Sequence, residues 1–101
     1  MSPPKEKHDH KALFFPKGFL WGSATSSYQV EGGNVNSDWE DFKSAGKANN
    51  QYNLYEQDFE LAKSLGHNAH RLSIEWARIE PKEGEFDEGE IEHYKNVLKA
   101  L

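Results

Sequence analysis

The sequence predicts an α/β fold made of strand–helix units, present as an incomplete set. Two short apolar runs carry this reading, Phe19 to Ala24 and Asn68 to Ile74. Each has the length and punctuation of a strand. The stretches after them repeat apolar residues at helical spacing. Strands that alternate with helices pair in parallel, and a two-strand parallel sheet cannot cover both its faces.

Each element follows from its residues. A disordered, polar tail is expected over residues 1–13, with a structured fragment over 14–101. Met1 to Lys11 is proline-containing and mostly charged or polar. Gly18 and Thr25-Ser26-Ser27 bound the first strand, and Gln29 then lies in a loop just past it. Gly32-Gly33-Asn34 reads as a loop. Ser37 or Asp38 caps a short helix through about Ser44, with Trp39 and Phe42 on one face.

Asn49 or Asn50 starts the clearest helix. Its stripe is Tyr52, Tyr55, Phe59 and Ala62, with Leu65 nearby, and Gly66 stands where a left-handed C-cap belongs. The second strand, Asn68 to Ile74, leads to an acidic loop, Glu80 to Glu85. Asp87 and Glu90 make an acidic capping box that opens a last helix. Ile91, Tyr94, Leu98 and Leu101 form its stripe.

Composition narrows the function classes. Twelve Lys and Arg against 17 Asp and Glu give 12 − 17 = −5. That balance argues against a nucleic-acid partner, which clustered basic residues would hold. Eight carboxylates fall between Glu75 and Glu92, read as a solvated loop and helix face. With no cysteine, no disulfide or thiolate metal site is possible. No apolar run approaches the ~18–20 residues of a membrane helix, so no membrane partner is expected. The N-terminus lacks a signal-peptide core, which makes a cytoplasmic location the default. His8 and His10 are too few ligands for a specific metal site. No cofactor is implied.

Arg71 is the unusual residue of the second strand. His70, Leu72 and Ile74 share one face; Ala69, Arg71 and Ser73 share the other. If helices cover the first face, the guanidinium points to the opposite side, where burial demands a carboxylate partner. A structural ion pair or an exposed edge arginine is the plainer alternative. Gln29 offers a carbonyl acceptor and an NH₂ donor side by side, enough to clamp two neighbouring hydroxyls. A loop glutamine bonding backbone is its plainer alternative.

Two segments carry more than their separate residues. Phe19 to Gly32 reads FLWGSATSSYQVEG, and His70 to Pro81 reads HRLSIEWARIEP. Together and in this order they resemble the opening of family 1 glycoside hydrolases, the β-glucosidase family. The likeness extends from Phe15 to Leu101. It departs where Gly33 to Ser37 is shorter than the family's usual acidic, glycine-rich insertion, and at Asn50 and Leu54 near the start of the long helix.

The resemblance implies the first two β/α units of a (β/α)8 TIM barrel, an architecture of about 250 residues. It implies a retaining β-glycosidase acting on β-linked glucosides or galactosides. It places Gln29 on hydroxyls of the non-reducing sugar and Arg71 beside a nucleophilic glutamate on a later strand. Such a cation would keep that carboxylate ionised and aimed. The partners implied are a small β-glycoside substrate and either the remainder of the barrel or a complementing chain.

Retaining hydrolysis needs two carboxyls about 5–5.5 Å apart. Glu31 and Glu75 stand near strand ends but match no catalytic pattern. The family's Asn-Glu-Pro and Glu-Asn-Gly segments do not occur here. No catalytic residue is therefore assigned in this chain, and by itself it is expected to be inactive. Trp21, Trp39, Trp76 and Tyr28 are expected to pack, with Trp76 under the pocket floor. A non-catalytic module that docks to a partner barrel fragment, or weakly binds carbohydrate, is the alternative. An autonomous small α/β fold of unrelated function is a third reading.

Overall fold

The computed structural model describes residues 12–101. The His8–His10 pair and most of the expected tail lie outside them. The elements run β1 (Gly22–Ala24), α1 (Ser27–Val30), α2 (Asp38–Phe42), α3 (Gln51–Ser64), β2 (Ala69–Arg71), α4 (Trp76–Ile79) and α5 (Glu88–Ala100). The strands pair in parallel, with Gly22 opposite Ala69, Ser23 opposite His70 and Ala24 opposite Arg71. The sheet has two strands and is open, so no closed barrel forms among the described residues.

Both strands are shorter than the apolar runs that signalled them. Backbone bonding nevertheless continues past their ends. Asn68 N–H donates to Trp21 O at 2.8 Å, and Thr25 N–H donates to Arg71 O at 2.9 Å. The Asn68 side chain adds two more links across the pair. Its Oδ1 accepts from Trp21 N–H at 2.6 Å and its Nδ2 donates to Phe19 O at 3.1 Å.

The helix starts follow local chemistry. Ser37 caps α2 by accepting from Trp39 N–H at 3.3 Å. Asp87 caps α5 by accepting from Glu90 N–H at 3.1 Å, half of the expected capping box; the Asp87 N–H donates instead to Ile79 O at 2.8 Å and Glu90 accepts from Tyr52. Asn50 precedes α3 in a left-handed conformation, φ 55°, and bonds Asn53 Nδ2 rather than a backbone amide. Gly66, at φ +91°, turns the chain out of α3 where a side chain would be strained.

Two helices correct the sequence reading. Residues 27–30, expected as loop, close one α-helical turn, so Gln29 sits on α1. The segment after β2 folds into α4, capped when Glu75 accepts from Ala77 N–H at 3.4 Å. Neither four-residue segment is long enough to show periodicity.

The core gathers Phe59, Ile79, Tyr94 and Val97, with Tyr55, Ile91 and Ala100 packed around it. It lies where α3, α4 and α5 meet. In α5 the buried stripe runs through Val97, while Leu98 is 53% exposed and Leu101 also faces outward. Leu65 is likewise exposed on α3. Trp39 and Trp76 are each 59% exposed, contrary to the expectation that they pack. Trp76 opens α4, and its Nε1 donates to Glu80 at 2.8 Å. Trp21, also exposed, meets Phe15 edge-on and Phe19 at a tilt, with centroid distances of 4.4 and 4.8 Å.

Gly22 marks the closest approach of the two strands. A Cβ there would lie 2.3 Å from Ala69 O, a backbone atom that cannot swing away. Gly22→Val is expected to cost about 1–3 kcal/mol. A urea midpoint unchanged by this substitution would contradict the approach.

Candidate functional site

The parallel register puts the C-terminal ends of β1 and β2 at one edge. Arg71 is the last residue of β2 and pairs with Ala24, the last of β1. Gln29 lies five residues beyond Ala24, on α1. The two predicted site residues thus belong to the same edge of the sheet. Both are exposed, and among the described residues neither side chain makes a hydrogen bond or ion pair.

His70, the neighbour of Arg71, faces the other way. Its ring lies 5.5 Å from Phe59 of α3, and it shares hydrogen bonds with Ser23 and Thr25 at 3.3 and 3.2 Å. Burial and the nearby His67 lower its pKa. The helices therefore cover the His70 face, and Arg71 projects from the uncovered one. Its exposure follows from an open sheet.

Beneath α1 lies a buried polar network that the sequence reading did not find. The Glu31 carboxylate, 7% exposed, is its centre. Tyr94 Oη donates to Glu31 Oε2 at 2.6 Å. Arg78 Nε donates to Glu31 Oε1 at 3.1 Å, and Asn34 Nδ2 donates to the same oxygen at 3.2 Å. Arg78 Nη2 also donates to Gly32 O at 2.6 Å. The Arg78 guanidinium lies 4.0 Å from the Tyr52 ring centroid, a cation–π contact.

A second chain of bonds fixes the start of α1. Ser27 N–H donates to Ser73 Oγ at 2.7 Å. Ser73 Oγ donates to Ser27 Oγ at 3.3 Å, and Ser27 Oγ donates to Glu75 Oε2 at 3.2 Å. Glu75 N–H donates to Tyr94 Oη at 3.2 Å, which joins the two networks. Asn34 Nδ2 reaches Ser27 O at 3.1 Å.

The electrostatics follow from burial. Desolvation raises the pKa of Glu31, opposed by hydrogen bonds from Tyr94 and Asn34 and by the charge of Arg78. Burial and the Glu31 carboxylate both push the Tyr94 hydroxyl up. Tyr52 is pushed up to about 12, first by burial and then by its 2.7 Å bond to Glu90. His93, stacked on Tyr52 at 3.8 Å, is lowered chiefly by burial.

Chemically, this network holds groups still. Glu31 is tied to Arg78, Tyr94 and Asn34, and Glu75 to Ser27 and the start of α4. That leaves both of them structural commitments rather than a catalytic pair. Among the described residues no cluster of three His, Cys, Asp or Glu side chains is placed to hold a metal ion. No described helix is long and apolar enough to cross a membrane.

The sequence profile of glycosyl hydrolase family 1 matches residues 11–101. The chain belongs to this family. It is 40% identical to beta-glucosidase 47 of Arabidopsis thaliana over 114 residues, covering 96% of this chain and 21% of that protein. It is 37% identical to beta-glucosidase 34 of Oryza sativa subsp. japonica, covering 86% of this chain and 20% of that protein. Among solved structures, a β-glycosidase from Pyrococcus horikoshii superposes with a TM-score of 0.79 at 43% identity, covering 85% of this chain and 22% of that one. The β-glycosidase BGL167 gives 0.81 at 45% identity, with 85% and 23% covered. The chain spans about a fifth of the length of the curated relatives it matches. Its α/β architecture matches a part of these family 1 β-glycosidase structures.

The network makes a pH-dependent prediction. Glu31 binds its proton more tightly in the folded state than in the unfolded one. Its contribution to stability is therefore full at low pH and is lost as pH rises through its raised folded pKa. Arg78→Ala leaves the buried carboxylate uncompensated and is expected to cost about 3–5 kcal/mol near neutral pH. The cost should shrink as pH falls well below the ordinary glutamate pKa of about 4.3, because Glu31 is then neutral and needs no cation. Urea unfolding at the two pH values checks this, and an equal cost at both contradicts it.

Proposed function

We propose that this chain is the N-terminal part of a retaining β-glycosidase that hydrolyses β-linked glucosides or galactosides. One observation carries the reading: Arg71 ends β2 and Gln29 follows β1, so both belong to the C-terminal edge of two adjacent parallel strands. Strand–helix barrels build their active sites at that edge. The chain would supply the first two β/α units of the barrel, with β1 and β2 as neighbouring staves.

Within that site Gln29 binds the sugar. Its amide donates to one hydroxyl and accepts from the next, and no intramolecular bond competes for it among the described residues. Arg71 sets the charge of the site. Its uncovered face turns toward the interior of the closed barrel, where the nucleophilic glutamate of a later strand would meet it. A fixed guanidinium favours the ionised carboxylate needed for attack at the anomeric carbon and holds its orientation. The second glutamate would act as acid and then as base across the two steps of retention. No metal or cofactor enters the proposal.

A second reading, docking to a complementing barrel fragment, is favoured by the exposed aromatic cluster. Phe15, Phe19 and Trp21 pack on one another in tilted and edge-to-face contacts at the surface. Apolar surface of this kind is suited to burial against another chain. The two readings share one site and differ in whether the remainder of the barrel is covalently attached.

The 101-residue chain alone is expected to leave a chromogenic β-glucoside intact, because it holds neither catalytic glutamate. In the longer protein, Gln29→Ala should raise KM and lower kcat/KM by about 10²-fold or more. Arg71→Lys keeps a charge but loses the fork, and should lower kcat. Steady-state kinetics check both. Turnover by the isolated chain, abolished by Arg71→Ala, would overturn the proposal.

A further inference from the structure

Among the described residues the amide proposed to grip the sugar has no side-chain partner of its own, so its position depends on α1. That helix is one turn long and cannot hold itself in place. It is fastened at both ends by groups from distant parts of the chain. At its start, Ser73 and Glu75 take the amide and hydroxyl of Ser27. At its end, Arg78 takes Gly32 O and Glu31, and Tyr94 takes the other Glu31 oxygen. Gln29 lies between these fastenings.

We infer that Glu31, Arg78 and Tyr94 form a clasp that positions Gln29 for sugar binding. This rests on the assignment of Gln29 to the sugar. The three are positioning residues, since Glu31 is buried beneath α1 rather than exposed beside Gln29. Tyr94 is the junction. Its hydroxyl donates to Glu31 at the end of α1 and accepts from the amide of Glu75, whose carboxylate binds the start. One hydroxyl thereby couples both ends of the turn to α5. The bonds to Glu31 are charge-assisted and shielded from water, which makes them stiffer than surface contacts. Clasping matters because a misplacement of about 1 Å at a reacting site can cost about 10²-fold in rate.

The test is a double-mutant cycle in the longer protein. Tyr94→Phe is expected to lower kcat/KM for a chromogenic β-glucoside about tenfold, mainly through KM, and to weaken a glucose-configured inhibitor similarly. In the Gln29→Ala background the same change should cost less than about twofold, because the residue it positions is gone. Hydrogen exchange should show faster amide exchange at residues 29–32 and at Tyr52, whose amide bonds Glu31 O, in Tyr94→Phe, with the C-terminal half of α3 unchanged. If Tyr94→Phe does not fold, Arg78→Lys supplies the same cycle, since it keeps the charge and loses the bond to Gly32 O. Equal losses in both backgrounds overturn the clasp and leave the Gln29 assignment standing. A silent Gln29→Ala overturns the assignment, and the clasp with it.

Discussion

The fold around the candidate site is organised by one carboxylate taken out of water. An isolated buried charge is too costly to keep, so Glu31 must recruit partners wherever it goes. It draws Arg78 from α4, Tyr94 from α5 and Asn34 from the loop before α2. These residues span most of the described chain. Their convergence decides where α1 sits, which way α4 turns, and how α5 approaches the ends of the strands. The apolar core of Phe59, Ile79, Tyr94 and Val97 lies against this network and shares Tyr94 with it.

Arg71 shows the opposite situation. It projects from a two-stranded sheet whose second face is open, so water solvates it and no carboxylate pairs with it among the described residues. The two arginines of HRLSIEWARIEP therefore divide their labour. Arg78 spends its fork on this chain's own carboxylate and carbonyl. The Arg71 fork makes no such bond among the described residues. The exposed cluster of Phe15, Phe19 and Trp21 fits the same picture. As a member of family 1, the chain covers about a fifth of the length of its curated relatives.

Local chemistry made much of the layout legible. Asp87 and Glu90 are three residues apart, and their capping bond needs nothing else. Ser37 marks a helix start by the same kind of bond, and Asn50 and Gly66 mark boundaries through their left-handed backbone. The parallel pairing followed from alternation of strand and helix signals. The errors fell where local signals are short. The turns at Ser27–Val30 and Trp76–Ile79 carry no readable period, and Val97 replaced Leu98 in the buried stripe because α4 and α3, not α5 alone, decide which face is covered. The tryptophans were read as core because of their size, but all three are exposed and none belongs to the core cluster.

What the sequence determined by itself was the strand–helix order, the helix caps and the pairing of SYQVEG with HRLSIEW. These depend on neighbours within a few residues or on a motif read whole. Only the tertiary structure decided that Glu31 and Glu75 serve as fastenings, since Glu31 meets Tyr94 across 63 residues of sequence. No composition or spacing encodes that contact. It exists because a desolvated carboxylate accepts whichever donors the packed helices bring within about 3 Å.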